Sequence, residues 1–163
     1  ELLRAGLFRL FMQRGKLFAL TDVCRDLALQ LQADAEGASH DITIQVTHAA
    51  SVADAVEVGR SVARNNLFKA AIYGGDPNWG RIAQAVGAAM PNTAPLALDI
   101  FIENVQVCAA GNAIPHDAAA LAEAVTGDEV EYDVVLPGDG AETEVFFSDL
   151  SHDYVRINAA YTT

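Results

Sequence analysis

Two apolar rhythms alternate along the chain, one with helical spacing and one with strict two-residue alternation. Leu2, Leu3, Leu7, Leu10 and Phe11 predict a short amphipathic helix over 2–12, ending near Gly15. Leu17, Leu20, Cys24, Leu27 and Leu31 follow 3-4-3-4 spacing and predict a second helix reaching about Gln32. Ile42, Ile44, Val46 and His48 alternate with Thr43, Gln45 and Thr47, a half-buried strand whose apolar face His48 continues. Ser51 to Asp54 resembles a capping box and opens a helix with the stripe Val52, Ala55, Val56, Gly59, Val62 and Ala63. Strand, helix and the stretch that follows read as a βα unit.

The second half continues the alternation. Ile82 to Met90 predicts a small-residue helix, stopped by Pro91-Asn92-Thr93. Leu96, Leu98, Ile100 and Ile102 predict a strand, and Val105 and Val107 its return. His116-Asp117 opens a helix carrying Ala118, Leu121, Ala122 and Val125, closed by Gly127. Val130, Tyr132, Val134 and Leu136 form another strand. Pro137 to Gly140 then turns into Thr143, Val145 and Phe147, which predicts a hairpin. The pattern implies an α/β (α+β layered) fold, with 1–163 as a single domain.

Composition narrows the function classes. With 52% hydrophobic and 20% charged residues, the chain can bury a real core. A net charge of −12 argues against nucleic acid or an anionic membrane as partner, because phosphates need a basic face. No apolar run reaches the ~20 residues of a membrane span. Cys24 and Cys108 form no CxxC, and the four histidines show no metal-ligand spacing, so neither a disulfide framework nor a metal site is expected. Cys24 reads as packing. These features suit a reducing, cytoplasmic-type protein.

The densest chemistry lies in Leu67 to Ile82, LFKAAIYGGDPNWGRI. Lys69 is followed by Gly74-Gly75, Asp76-Pro77, Asn78, Trp79 and Arg81, a turn loaded with distinct polar groups. The stretch also reads as a plain helix–turn–helix joint, with Asp76 as cap, Trp79 as core plug and Arg81 solvated or paired. It is neither a Walker A loop nor GxGxxG.

DPNWGRI after a lysine-containing apolar run resembles the signature of the ornithine acetyltransferase (glutamate N-acetyltransferase) family of arginine biosynthesis. Asp34 to Ser39, DAEGAS, is similar to the family's DGEGAT, and Asp153 to Thr163, DYVRINAAYTT, is similar to its DYVxINADYTT. The matches follow the family's order. The resemblance implies helices packed on a central pair of β-sheets, and it makes 1–163 most of the β chain of a self-processed two-chain enzyme.

By the same resemblance the whole protein moves an acetyl group from N2-acetylornithine to glutamate through an acetyl-threonine intermediate. No catalytic residue is expected here: none of the chain's threonines has the family's Asn-Asp-Thr context, so the nucleophile is expected upstream of Glu1. This chain alone is expected to be inactive and to contribute Glu36, Asn158 and Thr163 to substrate binding, with Lys69, Asp76, Asn78 and Arg81 in support. A carboxylate suits a substrate ammonium, and a carboxamide suits a carboxylate or acetamide. The implied partners are the α chain of the same precursor, in an assembly of two-chain units. No cofactor is implied; acetyl-CoA enters as a candidate co-substrate.

Departures from the pattern stand at Ala35, Ser39, His40 (usually lysine) and Ala160 (usually aspartate). Lost charge at His40 could change substrate preference. Two other classes fit the sequence: a non-catalytic amino-acid-binding or scaffold subunit, and a related self-processing amidase or aminopeptidase.

Overall fold

Strand β1 (Asp41–Ala49) lies inside a six-stranded sheet ordered β4-β3-β2-β5-β1-β6 in a computed structural model, which describes residues 19–92 and 96–160. The other elements are α2 (Val52–Ala63), α3 (Asn66–Tyr73), α4 (Trp79–Ala89), β2 (Asp99–Ile102), β3 (Val105–Ala109), β4 (Asn112–Ala113), α5 (Ala118–Ala124), β5 (Glu129–Val135), β6 (Ala141–Ser148) and α6 (His152–Ala159). The α/β layering holds, and the strands of the described residues form one sheet where the resemblance implies a pair.

The chain divides into two compact units, 1–34 and 35–163. In the first, a helix (α1) covers 19–33. It has the predicted periodicity, and of that stripe Leu20, Leu27 and Leu31 are 59%, 53% and 76% exposed and Cys24 is exposed too, while Leu17 lies outside the described residues. The helix expected over 2–12 lies outside the described residues.

In the second unit, alternation in β1 buries Ile42, Ile44 and Val46. The register aligns Ile44 with Tyr132 of β5 and Val145 of β6, and Ile42 with Val130 and Phe147. This apolar side of the sheet takes α2 and α3. Helix α2 packs on β1 and β6, and a Cβ at Gly59 would meet the Val145 side chain at 2.7 Å, so close approach there depends on glycine. Phe68 of α3 stacks edge-on against Tyr132, with ring centroids 5.0 Å apart, and lies 6.2 Å from Phe147. His48 does not continue the buried face. It takes φ +56° at an irregularity in the β1–β6 register and is exposed, and Ala49 is buried in its place.

The hairpin expected between β5 and β6 does not form. β1 lies between them, parallel to β5 and antiparallel to β6. The Pro-Gly-Asp-Gly segment instead crosses the end of β1, where Leu136 N–H donates to the Thr47 carbonyl at 2.9 Å. A Cβ at Gly138 would collide with the His48 carbonyl oxygen and approach Ala50 N at 2.7 Å. Turn chemistry and crossover chemistry look alike in sequence, since both require glycine.

The Tyr132 hydroxyl is buried with no hydrogen-bond partner among the described residues. Burial, with Glu103 and Asp76 nearby, drives its pKa upward and keeps the phenol neutral. An unpaired buried hydroxyl costs about 1–3 kcal/mol. Tyr132→Phe keeps the ring against Phe68 and is expected to leave stability unchanged or raise it by about 1 kcal/mol, read from urea unfolding midpoints.

Candidate functional site

The Leu67–Ile82 stretch forms a helix–turn–helix joint. Asn65 caps α3 through Phe68 N at 3.0 Å. The far end of α3 closes with Gly75 N–H on the Ile72 carbonyl (2.8 Å) and Asp76 N–H on the Ala71 carbonyl (2.9 Å), Gly75 taking φ +65°. That pairing is the Schellman arrangement, which needs a left-handed residue where Gly75 stands.

The cap of α4 is Asn78, which accepts from Arg81 N at 3.3 Å; Asp76 does not cap the helix but accepts from Asn78 Nδ2 at 3.0 Å. A carboxamide can accept from the helix and donate to a carboxylate at once, and a carboxylate there could not. The Arg81 guanidinium donates to the Leu67 carbonyl, pinning α4 to the start of α3. Asp76, Asn78 and Arg81 are thus engaged in the joint itself, and Trp79 packs half-buried against the core.

Lys69 is placed differently. Its neighbour Phe68 enters the core, its carbonyl accepts from Leu150 N at 3.4 Å, and its side chain is half-buried. Burial lowers the ammonium pKa, an effect that the Asp149 carboxylate partly offsets.

Glu36 is exposed on the loop between α1 and β1. Its neighbour Gly37 has φ +66° and lies against α6: a Cβ there would meet Tyr154 N at 2.5 Å and the Asp153 carbonyl carbon at 2.8 Å. Ser151 caps α6 through Tyr154 N (2.9 Å) and donates to the Gly37 carbonyl. Asn158, exposed on the next turn of α6, donates from Nδ2 to the Tyr154 carbonyl at 3.0 Å. It lies about 6 Å further along the helix axis than Tyr154. The tail docks by the start of this helix, whereas Tyr154 and Val155 remain exposed. The Tyr73 ring at the end of α3 meets His152 edge-on at 5.2 Å. Two segments far apart in sequence, the Gly37 loop and α3, therefore meet 149–154. Thr163 lies outside the described residues.

Beneath the loop, Asp149 is 2% exposed. It accepts from the Ser39 amide at 2.9 Å and from the Ser39 hydroxyl, with His40 Nδ1 at 3.2 Å. His40, expected to bear on substrate charge, is tied into this cluster. Burial pushes the Asp149 pKa up, but the Ser39 hydrogen bonds and then His40 outweigh it and hold the carboxyl below its ordinary value. Sequence reasoning missed Asp149 and Ser151; the Ser-Asp-Leu-Ser step that ends β6 was the available signal.

A depressed carboxyl pKa gives stability that is present above the unfolded value, near 4, and is lost as pH falls through the folded value. Asp41 and Asp133 are raised chiefly by burial and act in the opposite sense, becoming less costly as acid protonates them. The stability gap between the native chain and Asp149→Asn is therefore expected to be about 2 kcal/mol near neutral pH. It should shrink below pH ~4. Denaturant titrations across pH 3–7 would measure it.

Among the described residues, no three His, Cys, Asp or Glu side chains gather as metal ligands, and no helix is long and apolar enough to cross a membrane. The ArgJ family matches residues 15–163. The chain belongs to the ArgJ family. This bears out the resemblance to ornithine acetyltransferases. The chain is 46% identical over 144 residues to the arginine biosynthesis bifunctional protein ArgJ of Thermobifida fusca, covering 88% of this chain and 37% of that protein. It is 44% identical over 147 residues to the ArgJ protein of Deinococcus radiodurans, covering 90% and 38%. A crystal structure of ArgJ from Bacillus halodurans superposes with a TM-score of 0.85 at 33% identity, over 91% of this chain and 70% of that one. The chain thus spans well under half the length of these curated ArgJ relatives.

Proposed function

We propose that this chain is the substrate-binding portion of an ArgJ enzyme that moves an acetyl group from N2-acetylornithine to glutamate. A threonine outside these residues takes the acetyl group as an ester and releases ornithine. The glutamate amine then attacks that ester and regenerates the hydroxyl. The Glu36 carboxylate pairs with a substrate ammonium, and the Asn158 carboxamide and Thr163 hold the other polar end. Lys69 supports the site from α3, and the joint braced by Asp76, Asn78 and Arg81 fixes the position of α3. An α chain of the same precursor completes the site after self-cleavage, in a cytoplasmic assembly of two-chain units.

The observation that carries this reading is the meeting of the Glu36 loop, the Lys69 helix and the Asn158 helix around 149–154. These are the segments through which the chain resembles the acetyltransferases.

The test uses the complete protein with N2-acetylornithine, with and without glutamate. Ornithine and N-acetylglutamate should form together, with an acetyl-sized mass gain on a threonine-started chain when glutamate is omitted. Acetate release independent of glutamate would instead identify an amidase, and ligand binding without turnover a scaffold. Repeating the assay with acetyl-CoA as sole donor decides whether that donor is used.

A further inference from the structure

Asp149 takes no part in the reaction proposed above, yet both its oxygens are engaged by the Glu36 loop. Oδ1 accepts from the Ser39 amide, and Oδ2 faces both the Ser39 hydroxyl and His40 Nδ1. Ser39 Oγ also lies 3.0 Å from the same His40 nitrogen. In a nucleophilic triad the serine and the aspartate bond opposite ring nitrogens, so that one nitrogen takes the serine proton while the other keeps its own against the carboxylate. Here both use Nδ1, so the cluster holds a backbone shape and activates no hydroxyl. Two residues on, Ser151 grips the same loop at the Gly37 carbonyl while capping α6. The 149–151 segment thus holds the loop at Gly37 and again at Ser39, immediately beyond Glu36.

We propose that Asp149 is a positioning residue that sets the 36–40 loop against α6, so that Glu36 and Asn158 address the two ends of one amino-acid ligand. This rests on the amino-acid-binding role proposed for those two residues. A bound amino acid presents a cation and an anion a fixed few bonds apart, and a clamp for both ends works only if its halves keep their spacing. Asp149 holds one half at Ser39 and His40, Ser151 two residues on caps the other, and a buried carboxylate engaged at both oxygens yields little.

The test compares Asp149→Asn, Ser39→Ala and Ser39→Thr in the complete protein. It reads KM for N2-acetylornithine, kcat, and amide hydrogen exchange over 36–40 and the first turn of α6. Asp149→Asn should raise KM about tenfold with kcat within about threefold, and both segments should exchange faster together. Ser39→Ala should raise KM about threefold, and Ser39→Thr, which keeps the hydroxyl, should restore it. If Asp149→Asn folds poorly, the Ser39 pair carries the comparison. Unchanged KM, a fall in kcat alone, or Ser39→Thr as impaired as Ser39→Ala overturns the proposal.

If the native protein transfers no acetyl group, the proposed function falls, and exchange decides the positioning separately. Protection of 36–40 by N2-acetylornithine that needs about threefold more ligand in Ser39→Ala than in the native protein supports it. The same ligand requirement in both, or no protection in the native protein, overturns it.

Discussion

Gly37→Ala is expected to cost about 2–4 kcal/mol and to weaken binding of an amino-acid ligand at least tenfold. Two causes add. The left-handed backbone at φ +66° penalises any Cβ by about 1–2 kcal/mol. The new methyl would also stand 2.5 Å from Tyr154 N and 2.8 Å from the Asp153 carbonyl carbon. Both are backbone atoms at the start of a helix, so neither can swing aside as a side-chain tip would. The loop must lift away from α6, taking Glu36 with it. Thermal melts combined with ligand titration would check both halves, and an unchanged melting temperature would refute the close packing. Gly87 provides the control. It lies in α4 with nothing within 4 Å of where an added Cβ would stand, so Gly87→Ala should stabilise by about 0.5–1 kcal/mol.

Phe68→Ala should remove about 3–5 kcal/mol. Phe68 is fully buried and touches rings on β5 and β6, strands separated in the sheet by β1. Truncation leaves a cavity over the centre of the sheet and removes the edge-to-face contact with Tyr132. In a chain of this length the melting temperature should fall by roughly 10 °C. Phe68→Leu, which refills most of the space, should lose less than half as much. Equal losses would mean that the ring contacts, and not the volume, dominate. Because Lys69 follows Phe68 directly, activity of the complete protein in the alanine variant should decline before the chain unfolds globally.

Local pattern carried most of the secondary structure. Alternation marked β1 and β5, Ser51 marked the start of α2, and Asp117 the start of α5, where it accepts from two backbone amides. The order of strands was beyond that reach. Nothing near Pro137 to Gly140 reveals that the slot beside β5 is already filled by β1, whose partners are set by long-range packing. The joint was legible as a joint, but the roles of Asp76 and Asn78 were not, because a cap depends on which oxygen faces the helix.

Glu36 and Asn158 were legible only through family resemblance. Asp149 showed in the sequence only as part of a Ser-Asp-Leu-Ser step: its meaning depends on Ser39, 110 positions away, and a lone aspartate there reads as solvated. The apolar stripe of α1 shows the converse limit, since periodicity gives the face of a helix but not what covers it.

The central place of β1 also governs the order in which the chain can be assembled. Both its neighbours, β5 and β6, come after every other described strand, so during synthesis β1 waits with both edges unpaired while most of the second unit emerges. Bare edges invite pairing with other chains, and distant pairings form slowly. A chain stopped before Ala141 would leave one edge of β1 open permanently. The Glu36 loop runs straight into β1, so it acquires its shape only when the carboxyl-terminal strand has closed the sheet.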